Sequence, residues 1–133
     1  MENLLEAARA AARAAYAPYS QYPVGAAILT AFGEIVSGCN VENASYGLSM
    51  CAERTAVFAA RARGLVDGST APLRAVAIHA PNGPAPSPCG ACRQVLAEFG
   101  GDDLPVLIDG PDGTRETTLG ALLPEAFRLR EAP

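Results

Sequence analysis

A chain of 133 residues, half of them hydrophobic, is long enough to bury one core and too short for two, so a single domain over residues 1–133 is expected. Its formal net charge of −4 comes without any basic run, which argues against a polynucleotide partner, and no apolar stretch has the length of a bilayer crossing. With no lysine and a single histidine, His79, the composition excludes Schiff-base lysines, P-loop lysines and multi-histidine metal sites, and any serine-histidine triad would have to use His79.

The first residues show no basic-then-apolar leader pattern, so a cytoplasmic location is the expectation. Residues 3–16 are rich in Ala, Leu, Glu and Arg and predict a helix that ends before Pro18. Residues 24–30 and 35–41 are β-compatible and separated by Ala31-Phe32-Gly33-Glu34, which predicts a hairpin with Asn40 and Glu42 at its end. Cys39, inside the second of these strands, is expected to pack in the core as a small hydrophobe. Residues 51–63 predict a helix stopped by Gly64, and residues 73–80 another strand. The stretch 81–88 is dense in Pro, Gly, Asn and Ser, a loop that delivers the chain to Cys89. A helix over 92–99, a break at Gly100-Gly101, a fourth strand over 104–108 and a short helix from about Leu119 complete the chain. This order implies an α/β fold: a mixed sheet with helices on both faces.

Chemistry concentrates in Cys51-Ala52-Glu53 and in Pro88-Cys89-Gly90-Ala91-Cys92. Three thiolates, Cys51, Cys89 and Cys92, suit a catalytic zinc, which takes three protein ligands and leaves the fourth position open, whereas a closed structural site would need a further ligand from His79 or Cys39. Glu53, one residue removed from a ligand, can reach the activated water without binding the metal. Each cysteine group stands at a predicted helix start, where free N–H groups and the helix dipole favour the thiolate. Three thiolates leave a negative centre, and Arg54 is expected to offset it by donating to one or two of the sulfurs. A lone C-x-x-C also occurs in redox proteins and zinc knuckles. A thioredoxin-like motif, however, would follow a first strand near the N-terminus, and here Ser87-Pro88 precede it late in the chain.

With Asn40-Val41-Glu42-Asn43-Ala44, Cys51-Ala52-Glu53-Arg54-Thr55-Ala56 and Pro88-Cys89-Gly90-Ala91-Cys92-Arg93-Gln94-Val95-Leu96, the sequence resembles the cytidine deaminase family of the small-subunit, three-cysteine zinc type. Ala17-Pro18-Tyr19-Ser20, Val24-Gly25-Ala26-Ala27 and Leu122-Leu123-Pro124-Glu125-Ala126-Phe127 extend the resemblance over nearly the whole chain. It implies a three-layer α/β/α fold with a mixed sheet of about five strands, and one Zn²⁺ per subunit. It implies hydrolytic deamination of cytidine and 2'-deoxycytidine with release of ammonia, in pyrimidine salvage. Glu53 is then the general acid/base, moving a proton from water to N3 and on to the departing amine. The resemblance also implies that Asn40 and Glu42 hold the ribose hydroxyls, where a carboxylate would repel phosphate and favour nucleosides over nucleotides. The backbone of Ala52 meets the amide edge of the base. Tyr22 stands where many relatives have Phe beside the base, and its extra hydroxyl needs a partner. Phe127 matches a residue that in relatives enters a neighbouring subunit's site, which implies a homotetramer with shared active sites. On the sequence alone Phe127 fits a core position equally well.

Overall fold

The structure, a computed structural model, describes Met1 to Pro133 without a gap. Helix α1 (Glu2–Ala12) leads into the hairpin β1 (Gly25–Leu29) and β2 (Ile35–Cys39), then α2 (Ala52–Ala62), β3 (Ala75–His79), α3 (Gly90–Phe99), β4 (Pro105–Gly110), β5 (Gly113–Thr118) and a single turn, α4 (Leu119–Leu122). The five strands form one sheet in the order β2-β1-β3-β4-β5. Only the β3–β4 pair is parallel, with α3 as its crossover.

Strand alternation builds two cores from one sheet. Ala26, Ile28, Val76, Ile78, Val106 and Ile108 face one side, where Ala52, Ala56, Val57 and Ala60 of α2 and Leu96 and Ala97 of α3 cover them. Each of the three isoleucines is fully buried, which contributes about 1.5–3 kcal/mol apiece. The opposite side carries Ala27, Ala75, Ala77 and Leu107 against Leu4, Leu5 and Ala8 of α1. Small residues here let α1 lie almost on the strands: a Cβ on Gly25 would stand 2.0 Å from the Ala8 carbonyl oxygen. On the other face a Cβ on Gly38 would stand 2.5 Å from the Ala56 amide, so α2 is equally close to β2.

Strand direction places the chemistry. Both β2 and β3 run antiparallel to β1, so their C-terminal ends share one edge of the sheet. Helices α2 and α3 begin beyond those two ends, and their N-termini therefore arrive at the same place.

Several expected elements are corrected. The first helix stops at Ala12 rather than at residue 16, because Tyr16 is drawn into strand-like pairing: its amide donates to the Asn40 carbonyl at 3.0 Å and its carbonyl accepts from the Glu42 amide at 2.8 Å. The second strand ends at Cys39, and Val41 pairs instead with Met50. Strand β5 was not expected from the residues, since Gly113–Thr118 is an exposed edge strand with no apolar alternation to signal it. Cys39 is half-exposed at the end of β2 and belongs to neither core cluster, its thiol 3.6 Å from the Ala14 carbonyl. No helix is long and apolar enough to cross a membrane.

Candidate active site

Cys51 is the residue before the first turn of α2, and Cys89 holds the same place before α3, with Cys92 one turn further on. Neither helix has a side-chain cap at Cys51 or Cys89. The three sulfurs lie within 4.8 Å of one another, with Cys51 and Cys89 at 3.9 Å and Cys89 and Cys92 at 3.5 Å. A tetrahedral zinc with Zn–S bonds of about 2.3 Å sets its sulfurs about 3.8 Å apart, so the trio fits one Zn²⁺ with a fourth position left over.

The surroundings favour the thiolate at Cys51. A hydrogen bond from the Cys92 thiol, helped by Arg54, brings the Cys51 thiol down to about 5 against the opposing effect of burial. Cys92 is correspondingly pushed up, through that same hydrogen bond and by burial. Arg54 Nη2 donates to Cys51 Sγ at 3.4 Å, while its Nε is buried with no protein acceptor. A guanidinium so placed is matched by anionic sulfur and by little else nearby.

Glu53 is only 5 % exposed, and burial pushes its carboxyl above the ordinary range. It lines a cavity of about 230 Å³ together with Tyr22, Asn40, Glu42, Cys51, Ala52, Pro86, Ser87 and Cys89. A larger recess, about 740 Å³, lies beside α1 and contains Arg9, Arg13 and His79 but none of the thiols. His79 Nδ1 donates to the Asp109 carboxylate at 2.7 Å and takes no place in the smaller cavity.

The polar end of the small cavity is already structured. Glu42 Oε1 accepts from the backbone amides of Tyr19 at 3.0 Å and Ser20 at 3.1 Å, and the Ser20 hydroxyl donates to Oε2. That serine hydroxyl, followed by the two amides, holds the Glu42 carboxyl below its ordinary range. Asn40 accepts from the Val24 amide at 2.9 Å and donates to the Tyr22 carbonyl at 3.0 Å, which leaves one N–H and one lone pair of its amide for a ligand. The Tyr22 hydroxyl donates to the Pro84 carbonyl at 2.5 Å. Phe127 is absent from this cavity: it is 69 % exposed, with its carbonyl held by Gln94 Nε2 at 2.9 Å.

Two contributors carried no role in the sequence reading. Ser20 orients Glu42, and Arg93 donates to the Pro88 carbonyl at 2.7 Å, the Ser87 hydroxyl at 3.0 Å and the Leu122 carbonyl at 2.6 Å, fixing the approach to Cys89. Both stand inside the quoted stretches, yet Glu42 is 22 residues from Ser20 and Leu122 is 29 from Arg93, and no local pattern names these pairs.

A thiol trio at two converging helix starts, with a buried carboxylate beside it in one small cavity, defines a zinc-dependent hydrolase of the deaminase class. Residues 1–108 match the family profile described as "Cytidine and deoxycytidylate deaminase zinc-binding region", and the chain belongs to that family. It is 50 % identical over 123 residues to a cytidine deaminase of Mycobacterium tuberculosis, covering 92 % of this chain and 86 % of that one. With a cytidine deaminase of Sporosarcina psychrophila it shares 44 % identity over 128 residues, 96 % of this chain and 90 % of the relative. The crystal structure of cytidine deaminase from Burkholderia pseudomallei superimposes with a TM-score of 0.86 at 49 % identity, over 95 % of this chain and 98 % of that chain.

Proposed function

We propose that residues 1–133 form one catalytic domain that hydrolyses cytidine and 2'-deoxycytidine to uridine and 2'-deoxyuridine with release of ammonia. The observation that carries this reading is the placement of Glu53, buried in the same cavity as Cys51 and Cys89, with Asn40 and Glu42 on its wall and the Cys92 sulfur within 4.8 Å of the other two. Zinc, held by Cys51, Cys89 and Cys92, supplies Lewis-acid activation of water. Glu53 would accept a proton from water and deliver it to N3, then take the proton of the hydroxyl added at C4 and pass it to the departing amine, a task suited to a carboxyl whose burial raises its proton affinity. Ala52, at the first turn of α2, offers its backbone N–H to the amide edge of the base, its carbonyl being taken by the Thr55 hydroxyl at 2.9 Å. Tyr22 contributes its ring to the wall beside the base. Asn40 and Glu42 bind the ribose, and Arg54 balances the thiolates from outside the cavity.

Phe127, exposed in the single chain, serves the site of a neighbouring copy in a homotetramer. Large apolar side chains left in solvent, among them Tyr46, Leu48, Phe58 and Leu129, support such an assembly. A nucleoside substrate, a cytoplasmic location and pyrimidine salvage complete the reading, with no part for nucleic acid or membrane. The test is zinc content together with turnover of cytidine, deoxycytidine, cytidine monophosphate, cytosine and blasticidin. One zinc per chain with conversion of the two nucleosides is expected. Full zinc with neither nucleoside converted overturns the reading.

A further inference from the structure

Residues 19–22 are the point at which the two ends of the cavity are joined. The Ser20 amide and hydroxyl hold Glu42, and the Tyr22 carbonyl accepts from Asn40, so the polar end is anchored here. From the same segment the Tyr22 hydroxyl crosses 62 residues of sequence to the Pro84 carbonyl, and Asn82 Nδ2 returns to the Gln21 carbonyl at 3.4 Å. Gln21 itself adopts φ 55°, a left-handed conformation that a residue other than glycine keeps only where its surroundings hold it.

The loop thus reached, residues 80–88, carries Pro86 and Ser87 into the cavity wall and ends at Cys89. It is stiff, with proline at 81, 84, 86 and 88, so a restraint at Pro84 is passed to Pro86 and Ser87 rather than absorbed. Its rear rests on β4, where a Cβ on Gly110 would stand 2.9 Å from the Ala85 Cβ. Its far end is held by Arg93 at the Pro88 carbonyl, 2.7 Å away. The cavity side has the Tyr22 hydroxyl. The ring of Tyr22 lines the cavity while its hydroxyl is committed to the loop and is not directed at a ligand.

We propose that Tyr22 is a positioning residue whose hydroxyl latches the 80–88 loop to the segment holding Asn40 and Glu42, and so sets the width of the nucleoside cavity before a ligand arrives. Preorganisation of this kind is felt in binding more than in the chemical step, because Arg93 holds the Pro88 carbonyl and the Ser87 hydroxyl separately, just ahead of Cys89. The inference rests on the nucleoside reading for its kinetic consequence and on geometry alone for the latch itself.

Tyr22→Phe keeps the ring and removes only the latch. The expected result is a KM for cytidine raised about 2- to 10-fold, the worth of one net hydrogen bond, with the loss falling on KM rather than on kcat. Amide hydrogen exchange should quicken at Gly83, whose N–H donates to the Ala80 carbonyl at 3.4 Å within the loop, while β1 and β3 stay protected, which also shows that the variant is folded. A raised KM without faster loop exchange would mean that the hydroxyl touches the nucleoside, and overturns the proposal. Faster exchange with KM unchanged makes the bond purely structural and overturns it too, as does no change in either. A wild-type protein that fails to turn over cytidine removes the functional reading instead, and loop exchange alone then decides whether the latch exists.

Discussion

Glu53 is a charged residue type at a nearly dry position, and such a residue is expensive unless its protonation is put to use. Burial raises its proton affinity, and the thiols beside it give water a place to be activated, so a carboxyl that accepts and returns a proton follows from position as much as from identity. Glu53→Gln keeps the shape and removes the exchangeable proton. The variant should retain fold and zinc while kcat for cytidine falls by about 10²- to 10⁴-fold, and near-normal turnover would refute the proton-transfer role. The residue types of this site were legible because ligand spacing along a helix start is local chemistry: Cys89 and Cys92 sit one turn apart whatever surrounds them. The hold of Ser20 on Glu42 was not, because the two residues are 22 positions apart and meet only through the pairing of Tyr16 with residues 40 and 42.

At the scale of elements, two helix starts meet because β2 and β3 run in the same direction, a consequence of strand order rather than of either helix. The layer on the opposite face is secured by a polar tie between four elements. Asp109 of β4, 2 % exposed, accepts from Arg9 of α1 at 2.9 Å, meets His79 of β3 at 2.7 Å and accepts from Thr114 of β5 at 2.5 Å. Burial works against its charge, and the hydrogen bonds from Arg9, Thr114 and His79 outweigh that, leaving the carboxyl below its ordinary range. A carboxyl depressed in the folded state contributes stability that is complete above its unfolded value, about 3.9, and is lost as pH falls through the lower folded value. Asp109→Ala should therefore cost about 2–3 kcal/mol in urea unfolding at pH 7, and the gap between variant and wild type should narrow below about pH 4. A gap constant with pH would assign the loss to packing instead. Helix α1 and strand β5 were the misread elements, each for a tertiary reason: Tyr16 is captured by a strand partner, and β5 gains its conformation from pairing with β4 rather than from its own polar residues.

For the whole molecule the informative feature is what the single chain leaves uncovered. Phe127 projects from a C-terminal segment that is itself fixed, by Gln94 at the Phe127 carbonyl and by Arg128 at the carbonyls of Ala97 and Gly100. A fixed segment with an exposed aromatic suits contact with a second copy. Light scattering should find an assembly of several chains, and Phe127→Ala should lower kcat/KM while leaving zinc content intact. A fully active monomer would overturn the shared-site reading. The sequence by itself determined the C-x-x-C pair Cys89 and Cys92, the Cys51-Ala52-Glu53 run that holds the proposed proton-transfer carboxylate, and the alternation of strands and helices, because each is written in short-range spacing and hydrophobic period. Only the tertiary structure decided that both helix starts share one sheet edge, that the Tyr22 hydroxyl is committed to Pro84, and that Phe127 lies outside its own cavity. Those depend on strand direction and on contacts between residues tens of positions apart, which no local pattern encodes.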